Sequence, residues 1–464
     1  MKVRYGSLQF KELSMIRRFI FLVLILSFGG ELAAVADWTV LVYVQARNNL
    51  SNFAYKNFTD MASIGSGENL NILVQWYQPD QKGIWRYKVE KGKMVLDTCL
   101  PNDTDGTSSR ELVDSMKWAV DKCPAQKYSL ILWNHGLGII DPKWGNQRPW
   151  NSQYSSRFSI DPSILLENPR IHIEGLTVPT AVVEPSYDFR STSTLLGITK
   201  EPDHHHRAIL FNEQSKTYMN NQSLSQALSE IKTNVLSNKK IDLLGMDACL
   251  MAMAEVGYQI KDYAEYLVAS QEVELANGWN YAAFLKMLSD KSDVHSAAKV
   301  IVNSYENYYK DKIQFYTQSA MDLNSIALVK SSIDSLVESL KASQSSDREG
   351  MRDAILRARR SCVQFSASSY IDLHSFCVEL DKQIGSTEGK GRIKHRGIDG
   401  LRSALSYTKK MIEQTVIAYA VGKNLSRARG LSIYFPLNQI DESYQYTDFA
   451  RDCGWHGFLK ELIN

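Results

Sequence analysis

The 464-residue sequence predicts an α/β sandwich, with helices on both faces of a mainly parallel sheet. Three observations predict it. Nearly continuous apolar runs of strand length recur at 38–44, 70–76, 128–133, 208–211, 241–246 and 266–269. Runs that are apolar at almost every position suit parallel strands buried on both faces, whereas a half-exposed antiparallel strand alternates. Helical periodicity, as at 110–120 and 223–236, lies between them, the alternation a doubly wound fold requires. Lastly, two of the runs lead directly into residues capable of chemistry, His135 and Cys249.

The first 36 residues stand apart. Arg17 and Arg18 precede an apolar run over 19–28, and small residues follow to Ala34-Val35-Ala36 before Asp37. A basic start, a short apolar stretch and an A-x-A exit form a secretory signal. The run is about half of what a membrane-spanning helix needs. The sequence therefore predicts an exported protein, periplasmic, extracellular or surface-associated, with no stable membrane span once the signal is removed. Met15 is a second candidate start, since residues 1–14 add nothing a signal needs. Residues 1–36 carry a net +3, so their loss takes the formal charge from +2 to −1. A nearly neutral chain has no electrostatic footprint for nucleic acid.

The catalytic region is expected to span 37–290, interrupted at 143–207, where periodicity fails for about sixty residues rich in Trp, Tyr, Ser and Pro. Ordinary connections run to about six residues, which marks this stretch as an insertion. Its aromatic residues suit either a binding platform or simple packing, and packing is commoner. Residues 291–464 read as a mainly helical extension. Its one clear strand, 430–435, is expected to return to the sheet.

His135 follows the run Leu130-Ile131-Leu132-Trp133-Asn134, with Gly136 behind it; Cys249 follows Leu243-Leu244-Gly245-Met246-Asp247-Ala248. In open α/β sheets ligands bind beyond the carboxyl ends of the strands. Adjacent strands lie about 4.8 Å apart, so residues past two neighbours can reach one substrate. Helical spacing of Leu250, Met253, Ala254 and Tyr258 predicts a helix directly after Cys249, whose positive end would favour a thiolate. A nearby imidazole can move the proton that acyl transfer requires. Gly136 lets the backbone approach closely, so its N–H and that of Cys249 could hold an oxyanion. Spacing alone is a weak cue, because a histidine at a strand end and a buried cysteine are more often structural. The other cysteines, at 99, 123, 362, 377 and 453, lack paired spacing and read mostly as small buried apolar residues. His204-His205-His206 has no companion carboxylates at ligand spacing and reads as a solvated loop.

The wider wording resembles the clostripain family, within the caspase–haemoglobinase class of cysteine peptidases. The resemblance rests on W-T-V-L-V-Y with Asn48-Asn49-Leu50, on W-N-H-G, and on M-D-A-C-L-M-A-M-A-E-V. Gly278-Trp279-Asn280-Tyr281, Tyr370-Ile371-Asp372-Leu373 and Leu431-Ser432-Ile433-Tyr434-Phe435-Pro436 extend it over nearly all of 38–460 outside the insertion. It implies a caspase-like fold and a His–Cys dyad endopeptidase that cuts protein or peptide substrates after Arg or Lys. It also implies that Asp247, two before the nucleophile, lines the primary pocket; a helix N-cap suits Asp247 equally well. Relatives often carry a second acid at the position of Asn277, where an amide would weaken basic selectivity. They also carry a cleavage site after a basic residue in the interval that is 114 positions long here (249 minus 135). Arg207, where the insertion ends, is the first candidate for self-cleavage. No cofactor is required by such chemistry. Calcium is associated with clostripain, yet no D-x-[DN]-x-[DN]-G loop is present. Two rivals stand beside this reading: a secreted binding protein on a peptidase-like scaffold, and a peptidase of the same fold selecting Asn or Asp.

Overall fold

A computed structural model of the chain describes residues 35–79, 81–101, 104–141, 171–175, 209–290, 292–344, 347–388 and 398–463. Most of the segment read as an export signal, most of the insertion, the three histidines and Arg207 lie outside the described residues.

The centre is a parallel block whose strands are the apolar runs. These are β1 (Ala36–Gln45), β2 (Leu70–Tyr77), β5 (Ala125–Trp133), β9 (Ile241–Asp247) and β10 (Ala264–Ala269). They lie side by side in the order β10-β9-β5-β1-β2. The two-residue period of a strand sends neighbours to opposite faces. Leu41, Tyr43, Leu130 and Leu132 enter one apolar core; Val40, Val42, Val44, Ile131 and Trp133 enter the other. Helices Ser109–Lys122, Asn221–Glu230 and Ala254–Ile260 cover the first face. Helices Ser51–Ile64, Tyr281–Ser289 and Val294–Tyr309 cover the second. The outcome is a three-layer sandwich with the strand ends accessible at one rim.

Antiparallel strands widen the block at both sides. β3 (Ile84–Glu90) and β4 (Lys93–Leu100) form a hairpin beyond β2. A short piece of the insertion, β6 (His172–Ile173), then pairs parallel with β4, and Glu174 accepts the Leu96 N–H at 3.1 Å. On the other side β11 (Thr317–Asp322) and β13 (Val416–Val421) follow β10, making ten strands among the described residues.

Three expectations are corrected. The described part of the run expected at 208–211 is not a strand of the main sheet. As β7 (Ile209–Asn212) it folds onto β8 (Thr217–Met219) and bridges Gly136, so it lies over the rim instead of within the layer. The late strand, β14 (Ser432–Tyr434), pairs with β12 (Tyr370–Asp372), while β11 and β13 are what bring residues beyond 290 into the main sheet. The helix expected directly after Cys249 begins five residues later, at Ala254. Leu250 has a positive φ of 64°, which turns the chain out of β9. The segment then runs extended: Leu250 N–H reaches the Glu272 carbonyl at 3.1 Å, and Ala252 N–H reaches the Ser270 carbonyl at 2.9 Å. All of residues 250–253 are buried, so apolarity there marked enclosure on every side and not one face of a helix.

Gly245 on β9 sits in register with Ile131, and a Cβ there would lie 2.7 Å from the Trp279 ring. Gly245→Val should lower the denaturation midpoint by about 1–3 kcal/mol of stability, the usual cost of overpacking. An unchanged urea midpoint would show that Trp279 yields freely.

Candidate active site

The pairing of β5 with β9 builds the site. Trp133 is in register with Asp247, and the Asn134 N–H continues the ladder to the Asp247 carbonyl at 3.3 Å. His135 and Cys249 each follow this register pair by two residues. Both line a cavity of about 20 Å³ together with Asp247, Glu274, Ala276 and Gly278. That volume holds about one water.

His135 is buried, and its Nε2 lies 2.7 Å from the side-chain oxygen of Asn49. A carbonyl oxygen only accepts, so this contact places the proton on Nε2. The backbone of His135 is steadied from the previous residue. The Asn134 side chain takes the His135 and Phe211 N–H groups and donates to the Phe211 carbonyl, which fixes β7 over the rim. Asn49 has no local signal in the sequence beyond its place in Asn48-Asn49-Leu50, because its contact with His135 spans 86 positions.

Cys249 lacks the helix end the sequence suggested. Its sulfur instead takes the backbone N–H of Glu274 at 3.3 Å, a donor that suits a thiolate. Gly136 packs directly on this residue: a Cβ at 136 would stand 2.4 Å from the Cys249 carbonyl oxygen. None of the six cysteines forms a disulfide among the described residues. Burial pushes the thiols of Cys123, Cys362, Cys377 and Cys453 upward, which makes them poor nucleophiles.

Asp247 is not a helix cap. Its Oδ2 accepts the Tyr281 hydroxyl at 2.9 Å and the Trp279 N–H at 3.4 Å. Burial pushes its carboxyl up to about 7, with these bonds opposing. Gly278, at φ 62°, must be glycine, because a Cβ would meet Oδ2 at 2.7 Å. Asn277 does not stand on the cavity wall. It belongs to a tight turn closed by Gly278 N–H on the Leu275 carbonyl at 2.7 Å, and its own carbonyl is held by Asn57 at 3.0 Å. The acid that the loop does bring to the cavity is Glu274, buried and pushed well upward first by desolvation and then by the charge of Asp247. No group of three or more potential metal ligands occurs among the described residues, and no helix there is long and apolar enough to cross a membrane.

A parallel sheet that presents a histidine and a cysteine beyond adjacent strands, beside buried carboxylates, is the layout of a caspase-like cysteine peptidase. The chain belongs to the clostripain family, whose sequence profile matches residues 42–154 and 197–461. Peptidases of this family act on proteins or peptides. In fold the chain is similar to the inactive zymogen of a C11 protease from Parabacteroides distasonis (TM-score 0.56, 16% identity, 90% of this chain and 98% of that one). It is also similar to a secreted C11 cysteine protease from Bacteroides thetaiotaomicron bound to an irreversible peptide inhibitor (TM-score 0.55, 15% identity, 92% and 99%). Comparison with curated protein sequences finds no match.

The buried acids make stability depend on pH. A carboxyl whose pKa is raised by folding binds its proton more tightly when folded. It therefore stabilises fully below the unfolded value of about 3.9, and this contribution is lost as pH rises through the folded value. For Asp247 and for Glu255, also pushed up to about 7 by burial, the loss falls between about pH 4 and 7. Asp247→Asn should gain on the order of 1–3 kcal/mol relative to wild type on going from pH 5 to pH 8. Parallel melting curves for the two proteins across that range would exclude this role for the carboxyl.

Proposed function

We propose that this chain is an exported cysteine endopeptidase that cuts after basic residues and is made latent. The observation that carries the proposal is the convergence of His135, Cys249 and Asp247 on one cavity beyond adjacent strands in a member of the clostripain family. Cys249 gives its proton to Nδ1 of His135, whose Nε2–H is held by Asn49. The sulfur attacks the scissile carbonyl, and the oxyanion rests on the N–H groups of Gly136 and Cys249. His135 protonates the departing amine, and water then releases the acyl group from Cys249. No cofactor enters these steps. Asp247 pairs with the basic side chain of the substrate, and carboxylates in that pocket disfavour the Asn- or Asp-selective alternative.

Latency is supported by the zymogen state of one structural neighbour. Activation would follow a cut in the interval 143–207, with Arg207 the first candidate. Export is supported by the three-part signal in residues 1–36 and by the secreted neighbour.

Wild type, Cys249→Ala and His135→Ala expressed side by side test both parts. Wild type should give two fragments and hydrolyse peptides ending in Arg or Lys; both variants should stay single-chain and inactive while still unfolding cooperatively. Hydrolysis by Cys249→Ala would end the dyad reading. A fully active uncut wild type would end self-activation, and a cut that persists in Cys249→Ala would assign it to another protease. Asn49→Ala should keep the dyad but lose roughly two- to tenfold in kcat, the worth of one neutral hydrogen bond.

A further inference from the structure

We propose that Asn48 is a positioning residue of the dyad: with Asn134 it forms a carboxamide clamp that sets the contact between Asn49 and His135. The proposal rests on the reading of His135 and Cys249 as the dyad. It adds the residue that places the histidine's hydrogen-bond partner.

Asn48 and Asn134 each come one residue before a member of that contact, in which Nε2 of His135 lies 2.7 Å from the Asn49 side-chain oxygen. Their side chains meet at the same two acceptors. Asn48 Nδ2 donates to the Gln45 carbonyl at 3.2 Å and to the Phe211 carbonyl at 3.0 Å. Asn134 Nδ2 donates to the same Phe211 carbonyl at 3.0 Å and to the same Gln45 carbonyl. A carboxamide nitrogen has two hydrogens and a carbonyl oxygen has two lone pairs, so the four groups close a square with no donor left over. The side-chain oxygens face back along their own segments. Asn48 Oδ1 accepts the Leu50 N–H at 2.9 Å, and Asn134 Oδ1 accepts the His135 N–H.

Gln45, Asn48, Asn134 and Phe211 are all buried. A donor lost in such a place leaves its acceptor short, so the square holds one spacing between the segments 45–50 and 134–135. By reaching over Asn49 to the Leu50 N–H, Asn48 also fixes the backbone that carries the Asn49 side chain. The contact served in this way tolerates little error, because a hydrogen bond weakens steeply as its geometry departs from linear. Seating β7 does not require the second amide. Asn134 takes the Phe211 N–H at 2.9 Å as well as donating to the Phe211 carbonyl, which pairs with that strand on both sides. What Asn48 adds is a tie from the turn at 48–50 to the end of β5, the segment that presents His135.

The test measures kcat and KM on one peptide for active wild type, Asn48→Ala, Asn49→Ala and the double variant, with His135→Ala as control. Both carbonyls keep the Asn134 donor in Asn48→Ala, so this variant should fold. It should lose roughly two- to tenfold in kcat, the worth of one neutral hydrogen bond. KM should not change, because Asn48 is not among the residues that line the cavity. In the Asn49→Ala background Asn48→Ala should cost nothing further, since the group it positions is gone. Losses that multiply in the double variant would show that Asn48 acts elsewhere and would overturn the proposal. An unaltered kcat, or an effect confined to KM, would overturn it too. A spectroscopic readout separates this outcome from failure of the dyad reading. In protein carrying isotopically labelled histidine, the His135 Nε2–H resonance is identified by its loss in His135→Ala. It should exchange slowly with solvent in wild type and faster in Asn48→Ala; equal exchange would overturn the proposal and leave the dyad intact. Turnover retained by His135→Ala would instead sink the dyad reading, and the proposal with it. Should Asn48→Ala fail to fold, Asn48→Ser keeps an oxygen for the Leu50 N–H but cannot span both carbonyls. It should show the same loss in kcat, and an unaltered kcat there would again overturn the proposal.

Discussion

The site depends on one interaction, the parallel pairing of β5 with β9. Their register sets Trp133 opposite Asp247, and the two reactive residues follow at the same offset. A slip of one residue would reverse the faces of every side chain on β9 and send Leu243 and Leu244 into the wrong cores. The apolar layers therefore enforce the position of His135 relative to Cys249. The geometry of the candidate site is a by-product of burying leucine, isoleucine and valine on both sides of a sheet.

A second constraint comes from the loop that follows β10. Ser270, Gln271 and Glu272 are buried and fully engaged. Ser270 and the N–H groups of Gln271 and Glu272 meet Thr317; the Gln271 side chain spans Asp372 and the Gly430 N–H; and the Glu272 carboxylate takes the N–H groups of Val273 and Ser366. All of these contacts except that with Val273 tie the loop to segments more than forty positions away. The region beyond residue 290 is thus a support for the pocket wall as well as an added layer. Satisfied buried polar groups of this kind fix one arrangement, because any other leaves donors or acceptors unpaired.

The central strands were legible because each is an unbroken apolar run, and His135 and Cys249 stood out as candidates because each follows one. Elements without that signature were not. β3 and β4 are half-buried antiparallel strands, and β11 opens on buried Thr317, Gln318 and Ser319, whose burial is stabilised by distant partners. The apolar run of β14 was evident, but apolarity does not name a partner strand, and it pairs with β12 instead of joining the main sheet. Asn49 and Glu274 reach the candidate site through contacts made by folding alone. The likeness to relatives pointed to Asn277, and only the turn at Leu275–Gly278 reveals that its neighbours form the wall.

The segment between the two reactive residues has a consequence for the integrity of the molecule. It leaves the end of β5, pairs at the far edge of the sheet through β6, and returns at β7. A chain severed between 176 and 208 would hold β1 to β6 in one piece and β7 to β14 in the other. Both apolar cores draw on both pieces: Leu130 and Leu244 share one, Ile131 and Leu243 the other. Neither piece could cover its half of the seam alone, so the severed enzyme would persist as an obligate heterodimer. Its folding would then be a bimolecular event, with a melting temperature that rises with protein concentration. Once such a pair came apart in dilute solution, regaining the native state would require an encounter as well as a fold.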